Sequence, residues 1–347
     1  MEKSDIKSLS VGELNAYLES IGQKKYRTAQ IQDWLFKHQC SAFDQMKNLP
    51  ASLVQRLDQD FDINPLTCSS QDVAEDGTIK WLFRTKDQFY IESVLLIAED
   101  RHSICISTQV GCAMGCTFCR TAQMGFKRNL RVGEILEQFI QVNQYLKTQG
   151  KELSNIIFMG MGEPMNNFEN FDRAARIFHD RRFFNLGKKR LTVSTSGLVD
   201  KIREVADRET PCHLAVSLNG TNDSMRSALM PINDRYPLEK LFEATDYYVE
   251  KTGNRITFEY ILIKDITCTE QAANELIALT GRRRCKINAI VLNESENDML
   301  VPPSDQEIEK FIAKIRSKEI LIHIRRPRGR DIQAACGQLA IKQQKVA

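Results

Sequence analysis

Three cysteines, Cys112, Cys116 and Cys119, form a Cys-x-x-x-Cys-x-x-Cys array inside the run Val110-Gly-Cys-Ala-Met-Gly-Cys-Thr-Phe-Cys119. Three thiolates crowded on one short loop suit a cubane 4Fe-4S cluster whose fourth iron has no protein ligand. Such an iron can chelate a small molecule through an amine and a carboxylate, so the array points to cofactor chemistry. A zinc site would ask for a fourth ligand and usually a second Cys-x-x-Cys knuckle. No second knuckle is present. Cysteines that only fill a core are the remaining reading, and a glycine-flanked loop after an apolar strand makes a poor core.

The elements that must hold this loop can be read from hydrophobic period. Val11–Leu18, Thr28–Phe36 and Ala51–Leu57 place apolar residues three and four apart, which predicts a small helical module. Lys24, Lys25 and Arg27 make it either an RNA-contacting accessory domain or a solvated cap. Strand patterns follow at Thr78–Arg84, Phe89–Ile97 and Ser103–Thr108, the last leading into the cysteine loop. Amphipathic helices and apolar strands then alternate from Val132 to Arg316, with strands over Asn155–Met159, Leu191–Ser194, His213–Ser217, Ile256–Ile263 and Ile287–Leu292.

Repeated β–α units imply parallel strands joined by crossovers. About six units predict an α/β fold built on a partial (β/α)6 barrel with a small N-terminal helical domain. The expected division is 1–66 for the helical domain, 67–101 for a β-rich connecting extension, 102–327 for the barrel and 328–347 for a C-terminal tail. Barrel enzymes place their chemistry at strand carboxyl ends. Gly160-Met-Gly-Glu163, Ser194, Ser217-Leu-Asn219 and Asn293 all fall there.

The chain has 347 residues, 42% hydrophobic and 27% charged, with a net charge of +3. That is enough for one large core and a smaller module. Lys188-Lys189-Arg190, Arg282-Arg283-Arg284 and Arg325-Arg326-Pro-Arg328-Gly-Arg330 concentrate positive charge where a phosphate backbone would suit it. No apolar signal core and no membrane-length apolar run is found, so a cytoplasmic location and no membrane partner are expected. Ten cysteines in that compartment argue for ligands and reactive thiols over disulfides. Cys40, Cys68, Cys212, Cys268 and Cys285 have no motif around them, and His38, His102, His179, His213 and His323 lack metal-ligand spacing.

Longer segments carry a resemblance. Cys105-Ile-Ser-Thr-Gln-Val-Gly-Cys112, Gln123-Met-Gly-Phe-Lys-Arg-Asn129, Phe158-Met-Gly-Met-Gly-Glu-Pro164, Met230-Pro-Ile-Asn-Asp-Arg-Tyr-Pro237 and Asp331-Ile-Gln-Ala-Ala-Cys-Gly-Gln-Leu339 resemble the RlmN/Cfr family of radical-SAM adenosine methyltransferases, on the RlmN side. The resemblance implies that Cys112, Cys116 and Cys119 bind the 4Fe-4S cluster. It further implies that Gly162, Glu163, Ser194, Ser217, Leu218, Asn219 and Asn293 bind S-adenosyl-L-methionine, two molecules per turnover. Cys336 matches the methyl-carrying cysteine, Cys105 the cysteine that helps to release product, and Glu92 the proton acceptor.

The implied reaction forms 2-methyladenosine in 23S rRNA and in tRNA, by a monomer served by a flavodoxin- or ferredoxin-type electron donor. Adenine carbon 2 is electron-poor and the sulfonium methyl is electrophilic, so direct polar transfer is mismatched. In the family scheme Cys336 is first methylated by displacement. A radical generated at the cluster then activates that methyl group for addition to adenine, and Cys105 attacks the Cys336 sulfur to free the product. Methylation at carbon 8, as in the Cfr branch, and a non-catalytic RNA-binding or ribosome-assembly role are the alternatives. Two departures stand out: Asn219 replaces the family's usual histidine, and the acidic stretch from Asn293 to Pro303 replaces a Pro- and Gly-rich loop.

Overall fold

The computed structural model describes residues 3–99, 101–293 and 300–339. Ten strands form one sheet: β1 (Leu66–Val73), β2 (Ile79–Thr85), β3 (Tyr90–Ala98), β4 (Arg101–Cys105), β5 (Asn155–Phe158), β6 (Leu191–Thr195), β7 (His213–Ser217), β8 (Ile256–Leu262), β9 (Cys285–Val291) and β10 (Ile322–Arg325). Their spatial order is their chain order. The pairs from β1 to β4 are antiparallel, and those from β4 to β10 are parallel.

Six helices make the parallel crossovers: α4 (Val132–Lys147), α5 (Phe168–His179), α6 (Val199–Asp207), α7 (Leu238–Thr252), α8 (Glu270–Thr280) and α9 (Asp305–Arg316). The six expected β–α units are therefore present, followed by a seventh parallel strand, β10. Because β1 and β10 each have one strand neighbour, the sheet stays open, and the barrel is partial. Strand β8 is buried along its whole length, as a parallel strand covered on both faces must be.

Two strands escape the hydrophobic period. All but one of the β1 residues after Leu66 are exposed, so this edge strand carries no apolar alternation. Strand β10 is four residues long and ends in a charged side chain. The helix expected over Thr28–Phe36 is Arg27–Gln32 continued by a wider turn over Asp33–Lys37, in which His38 N–H reaches the Asp33 carbonyl at 2.9 Å. Most of the acidic stretch, residues 294–299, lies outside the described residues.

The N-terminal helices are α1 (Val11–Ser20), α2 (Arg27–Gln32) and α3 (Ala51–Asp60), and the short turn Ile6–Ser8 that precedes them packs on α4. Their apolar residues join the barrel's core, and the joint also contains charge. Lys7 Nζ pairs with Glu137, both side chains at most 2% exposed. The Asp5 carboxylate accepts from Lys7 N–H at 2.9 Å and from the Ser8 hydroxyl at 2.6 Å. Gly133 makes room for it, since a Cβ there would lie 1.8 Å from Asp5 Oδ2.

Removing one partner of such a buried pair strands the other charge without water. Lys7→Met should therefore cost about 3–5 kcal/mol in denaturant unfolding. The double variant Lys7→Met/Glu137→Leu should recover most of that loss, and a double variant as weak as the single one would contradict the account.

Candidate active site

The cysteine loop leaves β4 and is held in shape by glycines. Gly111 has φ 73°, and a Cβ on it would sit 1.7 Å from the Gly125 carbonyl oxygen, so only glycine allows the two ends of the loop to touch. Cys112 N–H closes that contact at 3.2 Å to Gly125 O, and Cys119 N–H reaches Cys116 O at 3.2 Å. The three thiols line one cavity of about 190 Å³.

Burial, then its neighbours' charge, pushes the Cys112 thiol up to about 12, and burial with the two other thiols pushes Cys116 higher still. Thiols in that state ionise only when a metal takes the proton's place. Among the described residues no three His, Cys, Asp or Glu side chains converge closely enough for a single metal ion. A cubane spreads its thiolates over three different irons, so three thiols on one cavity wall can serve one cluster without converging on a single ion.

The strand carboxyl ends supply the rest of the wall. Gly162, Glu163, Ser194, Ser217, Asn219 and Asn293 all line the same cavity as the three cysteines. Leu218 does not: its side chain is fully buried in the core, and its N–H donates to the Glu259 carbonyl at 2.9 Å. The Glu163 carboxylate is committed to the backbone N–H groups of Met165 at 3.0 Å and Ser196 at 2.7 Å, bracing two loops. Ser194 Oγ and Ser217 Oγ lie 3.5 Å apart on adjacent strands. Asn219, at φ 50°, accepts from Ile261 N–H at 2.9 Å, so the residue that replaces the family histidine acts within the wall.

Asn293 does something its strand-end position does not announce. Its Nδ2 donates to the Cys336 carbonyl at 2.9 Å, holding the tail across the barrel mouth. Arg120 N–H donates to Gly337 O at 2.9 Å, and Thr121 Oγ1 to Leu339 O at 2.7 Å. The other end of the tail is fixed to the antiparallel strands, through Lys80 Nζ to Ile332 O at 2.6 Å and Gly329 N–H to Asp76 Oδ2 at 3.1 Å. Glu92 is 4% exposed, 3.4 Å from that Lys80 ammonium, and lines neither of the two cavities described here.

Cys336 belongs to both cavities. The second, of about 1270 Å³, runs along the parallel strands, from amino-end residues such as Asn155, Thr192 and His213 to carboxyl-end ones such as Ile290 and Arg325, and Cys105, Cys119, Asn293, Cys336 and Gly337 are in its wall. Eight Lys and Arg side chains line it, among them Lys189, Arg255, Arg284, Arg325 and Arg326, with no carboxylate among the described lining residues. Three cation clusters far apart in sequence thus contribute to one cavity wall. Arg330 is not in that wall.

Two site residues are missing from the reading of the sequence. Glu259, 2% exposed in β8, lines the cluster cavity; Oε1 accepts from Asn288 Nδ2 at 2.9 Å, and Oε2 has no hydrogen-bond partner among the described residues. Arg325 ends β10 and is the cation that draws down the pKa of Cys105, Cys336 and Glu259. A carboxylate inside the apolar run Ile256–Leu262 was a readable signal. Arg325 was visible only as one of many arginines.

Comparison with known proteins agrees with this geometry. Residues 106–275 match the radical SAM superfamily, and residues 4–63 match the ribosomal RNA large subunit methyltransferase N-terminal domain. The chain is 40% identical over 343 residues, 99% of its length and 94% of the relative's, to a probable dual-specificity RNA methyltransferase RlmN of Bacillus velezensis. The chain belongs to the RlmN family. A Staphylococcus saprophyticus member is 41% identical over 345 residues, covering 99% of this chain and 95% of that one. A crystal structure of a radical SAM methyltransferase from Sphaerobacter thermophilus superposes with TM-score 0.93 at 41% identity, over 97% of this chain and 99% of the other.

RlmN-family membership makes the chain a radical-SAM RNA methyltransferase whose cofactors are a 4Fe-4S cluster and S-adenosylmethionine. Among the described residues no helix is long and apolar enough to cross a membrane.

Anaerobic reconstitution should load about four irons per chain, with the charge-transfer absorbance of a cubane. Cys116→Ala should lose both the absorbance and methyl transfer. One tightly held zinc per chain and no chromophore would contradict the assignment of these thiols.

Proposed function

We propose that this chain methylates carbon 2 of adenosine in 23S ribosomal RNA and in transfer RNA, with Cys336 carrying the methyl group and Cys105 freeing the product. The observation that carries the reading is the position of Cys336. Cys336 lines both the cluster-side cavity and the cationic one, with Cys105 in the wall of the second. A methyl carrier must meet its donor on one side and RNA on the other, and a packing cysteine has no reason to face two cavities. The dual-specificity name of the relatives supports both RNA classes.

Cluster and S-adenosylmethionine, held by Cys112, Cys116 and Cys119 and the strand-end wall, supply the methyl group and the radical chemistry that activates it. The chain's own residues do the rest. Arg325 favours the thiolate form of Cys336, opposing burial, which pushes the pKa up. The pinned Cys336 and Gly337 carbonyls keep the thiol between the two cavities, so the carbon it bears meets a base arriving through the cationic mouth. Burial, with the Cys336 charge next in size, pushes Cys105 up to about 12, so this thiol stays neutral until the exchange step. Attack by its thiolate on the Cys336 sulfur then releases the base and leaves a disulfide, which a reducing cytosol reopens. Glu92 sits beside Lys80, one pleat from Val94 in the cationic wall, and its proposed proton-accepting role would act from there.

The eight cations at the mouth give RNA binding a sequence-independent component, because neutralised phosphates release counterions. Replacing Arg255, Arg284 and Arg326 by Gln should weaken binding and lower the salt slope by about 0.7 per lost single-strand contact. An unchanged slope in the folded variant would remove the mouth from the interface.

Cys105→Ala should still load the cluster and methylate Cys336, yet stall with RNA covalently attached. Cys336→Ala should show neither methyl loading nor crosslink. Denaturing gels of protein purified from RNA-containing cells separate the cases, since only Cys105→Ala is expected to give an RNase-sensitive shifted band. Nucleoside mass spectrometry of both RNA classes should find 2-methyladenosine; 8-methyladenosine in its place would move the chain to the other branch.

A further inference from the structure

Arg226 is the largest fully buried side chain among the described residues, and the short helix that carries it lies beneath the cluster loop. Its fork makes four hydrogen bonds: Nε to Leu218 O at 3.0 Å, Nη1 to Asn233 Oδ1 at 3.0 Å, and Nη2 to Ser196 O at 2.6 Å and Ser217 O at 3.3 Å. None of those acceptors is a carboxylate. Two glycines clear the space, for a Cβ on Gly220 would lie 2.8 Å from Arg226 Cα, and one on Gly197 2.9 Å from Nη2.

Carbonyl dipoles answer a buried cation only in part, and a fully desolvated charge ordinarily has a counter-ion. Burial pulls this guanidinium down to about 10, which still leaves it protonated at neutral pH. The groups whose negative charge acts on it are Cys116, once its thiol is a thiolate ligand, and Asp223, which is exposed to solvent. The short helix Asp223–Leu229 that carries Arg226 is also the floor of the cysteine loop. Thr117 N–H donates to Leu229 O at 3.0 Å, Cys116 packs against the small apolar cluster that contains Leu229 and Met230, and a Cβ on Gly115 would touch Pro231 at 3.5 Å.

We propose that Arg226 is the buried counter-charge of the iron–sulfur cluster, a positioning residue whose cation raises the cluster's reduction potential while its fork fixes the loops after β6 and β7. A cubane held by three thiolates is anionic and gains a further negative charge on one-electron reduction. A fixed cation therefore stabilises the reduced form more than the oxidised one. The same side chain holds the backbone at Ser196, Ser217 and Leu218, so cluster charge and the shape of the adjoining wall meet in one residue. The inference rests on the assignment of Cys112, Cys116 and Cys119 to the cluster.

The test is a dithionite titration of the reconstituted full-length protein, read by electron paramagnetic resonance, alongside Arg226→Gln and Arg226→Lys. At the potential where the unsubstituted cluster is half reduced, Arg226→Gln should show about a tenfold lower reduced-to-oxidised ratio, about 59 mV for one electron. Arg226→Lys should stay within about twofold, because it keeps the charge. Equal midpoints in all three proteins overturn the proposal. So does an Arg226→Lys protein that fails to fold or to take up iron, because then the fork alone matters. If Arg226→Gln does not fold, Asn233→Asp neutralises the guanidinium in place; a lowered midpoint supports the proposal, and an unmoved one overturns it. Failure of the cluster assignment itself reads differently, as no iron chromophore in the unsubstituted protein.

Discussion

The docking of the C-terminal tail onto the cysteine loop is the contact on which the site depends. Arg120 N–H to Gly337 O and Asn293 Nδ2 to Cys336 O bring a residue more than two hundred positions away against Cys119. A tail of this kind has no regular structure to orient it, so each buried polar group needs a partner or costs free energy. The antiparallel strands β1 to β3 supply the remaining partners, through Asp76 and Lys80. On the proposed role of Cys336, these contacts are what hold its thiol at a fixed point between the two cavities.

The open sheet gives the molecule two working cavities. Carboxyl ends of the parallel strands gather the cysteine loop, the paired serines and the asparagine clamp. Lys189, Arg255 and Arg284 reach the cationic cavity from one or two residues before a strand begins, and Arg325, Arg326 and Arg328 reach it from the carboxyl end of β10. The two cavities thus differ in charge, the first walled by the cysteine loop and neutral polar groups together with Glu163 and Glu259, the second by eight cations. Cys336 is where the two meet.

Buried charge recurs wherever one part of the chain must take a single position against another. Lys7 and Glu137 fix the helical module on α4, Glu163 braces two loops, and Arg226 ties two more to the floor of the cluster loop. Each costs desolvation that an apolar residue would not. Each also fixes distance and direction, which apolar packing leaves looser.

The cysteine array, the six β–α units and the strand-end positions of Gly162, Ser194, Ser217 and Asn293 were legible in the sequence, because ligand spacing and hydrophobic period are local properties of a chain. Edge strand β1 and short β10 were not, since an exposed strand carries no apolar pattern and four residues carry too little of one. Nor could one dimension show that Leu218 turns into the core while its neighbours line a cavity, or that the clamp on Cys336 is Asn293. Glu259 announced itself as a carboxylate in an apolar strand, whereas Arg226 and Arg325 were lost among 48 Lys and Arg residues. Sequence by itself determined which chemistry the chain can hold, through residue types at fixed spacing. Tertiary structure decided which thiol faces which cavity and which cation is buried, because those depend on strand order and on contacts between segments hundreds of residues apart.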